Sequence, residues 1–103
     1  MAGITTHILD TAKGRPAAGI RITLLKDGQL LFDGITDADG RARVLDPDRV
    51  ESGTYRITFD TGSYNPAGFF PVVAIDFRIE DVAQHYHVPL LLSPFGYSTY
   101  RGS

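Results

Sequence analysis

The 103-residue chain carries ten basic and twelve acidic residues, a formal charge of −2 with no basic run, which excludes the counterion-release attraction that nucleic-acid binding depends on. Hydrophobic residues make up 43%, yet no stretch approaches the ~20 consecutive apolar residues that cross a bilayer. Zero cysteines remove disulfides, thiolate nucleophiles and Cys-ligated metals together, and the length is that of one domain spanning residues 1–103.

In chain order, the start Met1-Ala2-Gly3-Ile4-Thr5-Thr6 has neither a charged n-region nor an apolar h-region, which points to a cytoplasmic chain without a leader. Ile4 to Asp10 alternates with Ile4, Thr6 and Ile8 on one side and Thr5, His7 and Leu9 on the other, a β-rich run ended by the polar turn Asp10–Gly14. Ile20, Ile22 and Leu24 then face inward, with Arg21 and Thr23 to solvent. Asp-Gly dipeptides at Asp27-Gly28 and Asp39-Gly40 each separate two alternating runs and predict two hairpins in succession. Pro47 is placed to open a single helical turn in the loop 46–53. The next strand, Thr54 to Asp60, turns Tyr55, Ile57 and Phe59 inward. Residues 61–68 are the one irregular stretch with room for a short helix, which Phe69 and Phe70 should plug onto the core. Val73, Ile75, Phe77 and Ile79 mark another half-buried strand.

From His85 onward the alternation puts Tyr86, Val88, Leu90 and Leu92 on a core face and His85, His87, Pro89 and Leu91 on the opposite face. That second face is too apolar to be solvated, so it should meet a partner subunit or wall a cleft. The Pro94-Phe95-Gly96 turn returns a final strand. Seven or eight short strands with almost no helix predict an all-β, two-layer antiparallel sandwich.

The chemistry sits in the histidines. If the first and seventh strands pair, His7, His85 and His87 cluster on one sheet face, where an imidazole titrating near neutrality serves as general acid or base. A His-x-His pair with a third histidine is also a zinc pattern, disfavoured here by a neighbouring arginine. Asp37-Ala38-Asp39-Gly40 imitates the opening of a calcium loop without its later ligands and is a turn instead. No nucleophile-elbow sequence positions Ser98 or Ser103 for a Ser-His-Asp triad.

Ile4–Asp10 with Gly14-Arg15-Pro16-Ala17, Thr36–Arg41, Gly53–Arg56, and His85–Ser93 through the terminal Tyr100-Arg101-Gly102-Ser103 together resemble the 5-hydroxyisourate hydrolases, transthyretin-like enzymes of urate catabolism. The terminal Tyr-Arg-Gly-Ser is the most specific part, similar to the signature that separates these hydrolases from transthyretin. The resemblance implies a transthyretin-like eight-stranded antiparallel β-sandwich with one short helix. It also implies a homotetramer arranged as a dimer of dimers, with active sites where the dimers meet. The implied reaction is hydrolysis of 5-hydroxyisourate to 2-oxo-4-hydroxy-4-carboxy-5-ureidoimidazoline without metal or cofactor. The implied catalytic residues are His7, Arg41, His87 and Ser103, with His7, Arg41, Tyr100 and Ser103 binding substrate. The chemistry of the side chains fits those roles: His87 activates water, and the planar Arg41 fork pairs with substrate oxygens and developing charge. His85, beside Gln84 at the strand entry, is expected nearer solvent and is left unassigned. The alternative is a transthyretin-like module that binds a small molecule without chemistry.

Overall fold

The computed structural model describes residues 3–103, so Met1 and Ala2, on which the reading of a leaderless start partly rests, lie outside the described residues. The strands are β1 (Gly3–Asp10), β2 (Arg15–Pro16), β3 (Arg21–Lys26), β4 (Gln29–Ile35), β5 (Arg41–Leu45), β6 (Gly53–Phe59), β7 (Val73–Ile79), β8 (His85–His87), β9 (Leu90–Ser93) and β10 (Gly96–Thr99). A 3-10 turn at Pro47–Arg49 and one helix, α1 (Thr61–Tyr64), complete the set, both where the sequence allows them. One sheet runs β4-β3-β6-β7, and the other β10-β9-β1-β2 with β5 and β8 also paired to β1. Since β2 is a two-residue extension and β8 and β9 are one run interrupted at Val88-Pro89, the architecture reduces to an eight-stranded sandwich.

The inward faces are those the alternation assigns. Ile4, Ile8, Ile22, Leu24, Ile57, Phe59 and Leu90 are wholly buried between the sheets, and Tyr86, Val88 and Leu92 close the same core. Each such aliphatic side chain withdrawn from water contributes about 1.5–3 kcal/mol, which makes period-two patterning decisive for register. Thr6, the polar member of the inward row on β1, is satisfied by donating its hydroxyl to the Val88 carbonyl at 2.6 Å.

Three expectations are corrected. The sandwich is not wholly antiparallel: β1 runs parallel to β8 and β9, with Ile4 opposite Tyr86 and Ile8 opposite Leu90. Asp27-Gly28 makes the predicted hairpin between β3 and β4, whereas Asp39-Gly40 does not join a hairpin, because β5 pairs with β1 and not with β4. The reason lies in Thr36 and Gly40. Thr36 Oγ1 is held by the Ile20 amide and the Ala17 carbonyl, which fastens the end of β4 to its own sheet. Gly40 then passes so close to β1 that its carbonyl accepts from the Ile8 amide at 2.8 Å. With φ at +72°, a Cβ there would lie 2.5 Å from the Ile8 carbonyl oxygen, so the glycine serves a crossing between sheets. Finally, of the two phenylalanines after α1 only Phe70 packs against the core. Phe69 is 68% exposed, its ring edge-on to Phe70.

Candidate functional site

The outward face of the β8-β1-β5 strip carries the histidines. Register fixes who meets whom: Thr5 lies opposite His87 on β8 and Arg43 on β5, while His7 lies opposite Arg41. Paired residues of neighbouring strands share a face, so His85 and His87 on β8, Thr5 and His7 on β1, and Arg41 and Arg43 on β5 form three adjoining rows on one surface. The C-terminal tail completes the arrangement. Gly102 donates its amide to the His87 carbonyl at 2.8 Å and bridges the far edge of β8, which brings Ser103 alongside. A cleft of about 260 Å³ lies here, lined by Thr5, Asp37, Arg41, Arg43, His85, His87 and Ser103 among others.

Local geometry orients His87 tightly. Its Nδ1 is 2.8 Å from Thr5 Oγ1, and the same hydroxyl is 2.9 Å from Nε2 of His85, so the two imidazoles stack with ring centres 6.4 Å apart. Nε2 of His87 has no hydrogen-bond partner among the described residues and is not sealed from solvent, which leaves it available to the cleft. Burial holds the His87 imidazole below its ordinary titration range, and the charges of His85, Arg41 and His7 push the same way against hydrogen bonding to the Thr5 backbone. The ring is therefore neutral and basic near pH 7. Among the described residues no three His, Cys, Asp or Glu side chains are arranged to hold a metal.

Of the residues named from sequence, Arg41, His87 and Ser103 line the cleft, and His7 adjoins it through its pairing with Arg41. Tyr100 is not brought there. It is 57% exposed and lines a separate cleft with Phe77, Tyr86, Val88 and Arg101. His85 is half-buried like His87 and tied into the same network, against the expectation that it stands apart near solvent. Sequence reasoning missed Thr5, Arg43 and Asp37. Thr5 and Arg43 are legible in retrospect by the period-two rule, each two residues from a named partner on the same strand face. Asp37 is not, because its place is set by the turn in which its carboxylate accepts from the amides of Asp39 and Arg41. Two guanidiniums against the Asp37 carboxylate, with imidazoles beside them, make this a recess suited to an oxygen-rich or anionic small molecule.

The model of the HIUase/Transthyretin family matches residues 4–102. This chain belongs to that family. Within the HIUase/Transthyretin family it is 48% identical over 115 aligned residues to a 5-hydroxyisourate hydrolase of Caulobacter vibrioides, with all of both chains covered. Among solved structures, 5-hydroxyisourate hydrolase from Klebsiella pneumoniae superposes with a TM-score of 0.88 at 36% identity, covering 97% of this chain and 98% of that one. Sea bream transthyretin, solved in complex with thyroxine, gives the same TM-score at 31% identity and covers 96% and 93%. The family's two branches thus share this sandwich, and no helix among the described residues is long and apolar enough to cross a membrane.

Proposed function

We propose that this chain hydrolyses 5-hydroxyisourate to 2-oxo-4-hydroxy-4-carboxy-5-ureidoimidazoline, a step of urate degradation, with residues 1–103 acting as a single hydrolase domain in the cytoplasm. The observation that carries the reading is the convergence of His87, with an open Nε2, and Arg41 on one cleft. His87 takes a proton from water as the water oxygen bonds to a ring carbonyl carbon. Arg41 pairs with the negative charge that develops on the carbonyl oxygen. When the ring C–N bond breaks, the imidazolium returns its proton to the departing nitrogen, and the carbonyl becomes a carboxyl group. No metal or cofactor enters this balance. His7 and Ser103 orient substrate from the rim, and the chain works as a dimer of dimers in which another copy covers the outward face bearing Leu9 and Leu91. In that assembly Tyr100 binds substrate only if the interface carries it to a cleft, since within one chain it lies elsewhere. A binding module without chemistry has less support, because identity to the hydrolase relatives exceeds that to sea bream transthyretin.

The test is the ultraviolet decay of freshly generated 5-hydroxyisourate with and without the protein. Acceleration over spontaneous decay is expected, reduced about 10²–10⁴-fold in His87→Ala. Decay at the spontaneous rate in the presence of folded protein would refute the reading.

A further inference from the structure

Thr5 Oγ1 stands between Nε2 of His85 and Nδ1 of His87, at 2.9 and 2.8 Å. A threonine hydroxyl has one proton to give. Its two lone pairs let it accept from both rings when its own proton goes to solvent; when that proton stays between the rings, it donates to one imidazole and accepts from the other. Two arrangements follow when both rings are neutral. In the first, Thr5 donates to His85, His87 donates its Nδ1–H to Oγ1, and Nε2 of His87 presents a lone pair to the cleft. In the second, every proton along the line is displaced, so that Nε2 of His87 carries the hydrogen and is no longer a base.

We propose that Thr5 is a positioning residue that selects the first arrangement: its hydroxyl, drawn to His85, fixes His87 as the Nδ1–H tautomer with a basic Nε2. His85 acts through Thr5, as the acceptor that turns the hydroxyl proton away from His87. Two observations favour this direction. Nε2 of His87 opens on a cleft lined by Arg41 and Arg43, donor-only cations that favour a lone pair there and leave the proton to the nitrogen on the edge that faces β1. The opposite edge lies against Gly102, where an added Cβ would come within 2.6 Å of Cδ2, so the tail crowds the ring against turning over to exchange its edges. Among the described residues His85 has no partner for its other nitrogen, which is not sealed from solvent, so the Nδ1–H that this arrangement leaves there is open to solvation. The kinetic consequence rests on the hydrolase reading, whereas the tautomer does not.

Thr5→Val removes the hydroxyl at nearly constant shape and Thr5→Ser retains it. For Thr5→Val a loss of about 10–100-fold in kcat is expected, the size met when the hydrogen-bond partner that orients a metal-binding histidine is removed. KM should be little changed, and Thr5→Ser should restore most of the rate. Long-range 1H–15N spectra of the histidine side chains, recorded on the full chain without substrate, should show Nδ1–H on His87 in the native protein and in Thr5→Ser. Thr5→Val should shift His87 toward Nε2–H. A native His87 protonated on Nε2 would overturn the proposal, as would a Thr5→Val variant with native kcat and an unchanged tautomer. Because the native spectrum needs neither activity nor a variant, a protein that fails to hydrolyse 5-hydroxyisourate sinks the functional reading and leaves the tautomer to be decided on its own.

Discussion

Gly102→Ala tests how closely His87 must be held. A Cβ at position 102 would lie 2.6 Å from His87 Cδ2, with Cγ at 3.4 Å and Cβ at 3.6 Å. Ordinary contact begins near 3.4 Å, so ring and tail must separate by about 0.8 Å at the nearest pair. The ring cannot yield without pressing into its 2.8 Å contact to Thr5, and the tail cannot yield without lengthening its 2.8 Å bond to the His87 carbonyl and carrying Ser103 away. Either movement displaces a cleft residue by most of an ångström, a misplacement that costs on the order of 10²-fold in rate, or about 2.7 kcal/mol of barrier. The core is untouched, so the melting temperature should move little. The assay is the single-wavelength decay of 5-hydroxyisourate at saturating substrate, with Gly96→Ala as control. That glycine has only Ser93 Oγ, at an ordinary 3.7 Å, near its missing Cβ. Native turnover in Gly102→Ala, or an equal loss in Gly96→Ala, would refute the claim that Gly102 is there to admit the His87 ring.

Arg41→Lys should keep the fold and lose about 10-fold or more in kcat/KM, because a point-charge ammonium cannot match a planar fork against neighbouring oxygens; circular dichroism and initial rates check it. The acid limb of kcat/KM should fall below pH 6.5, the ordinary histidine value, since burial and neighbouring charges lower His87. The same shift has a stability sign. Between the lowered value and 6.5 the unfolded chain binds more protons than the folded one, so stability held above pH 6.5 should decline as pH falls through that window, and His87→Gln should flatten the decline in urea titrations. Tyr64→Phe should cost about 1.5–3 kcal/mol in urea unfolding, because the Tyr64 hydroxyl donates to the buried Asp10 carboxylate at 2.7 Å and ties α1 to the end of β1.

The inward rows were legible in the sequence because burial acts on every second residue, and Ile4, Ile22, Leu24, Ile57 and Leu90 have no other place to go. The outward row was legible in part. His7, Arg41 and His87 show themselves by side-chain chemistry, while Thr5 looks like any strand threonine until β8 lies beside β1 and its hydroxyl meets two imidazoles. Pairing partners were the opaque element. Asp39-Gly40 carries the local signature of a hairpin, and only the distant grip of Ala17 and Ile20 on Thr36 makes it a crossing. The parallel docking of β8 and β9 on β1 likewise leaves no local trace, since parallel and antiparallel neighbours ask the same alternation of a strand.

That docking joins residues about eighty positions apart: Thr5 meets His87 across 82 residues of chain. Closing so long a loop is slow, and contacts of this kind form late. On the ribosome the order of synthesis adds to the delay. Thr5 and His7 emerge early and wait, while His85, His87 and Gly102 are made some eighty or more residues later. A nascent chain that has already laid down β3, β4 and β6 is therefore a sandwich in progress without the candidate site, which forms only once β8 and the tail after it have been made.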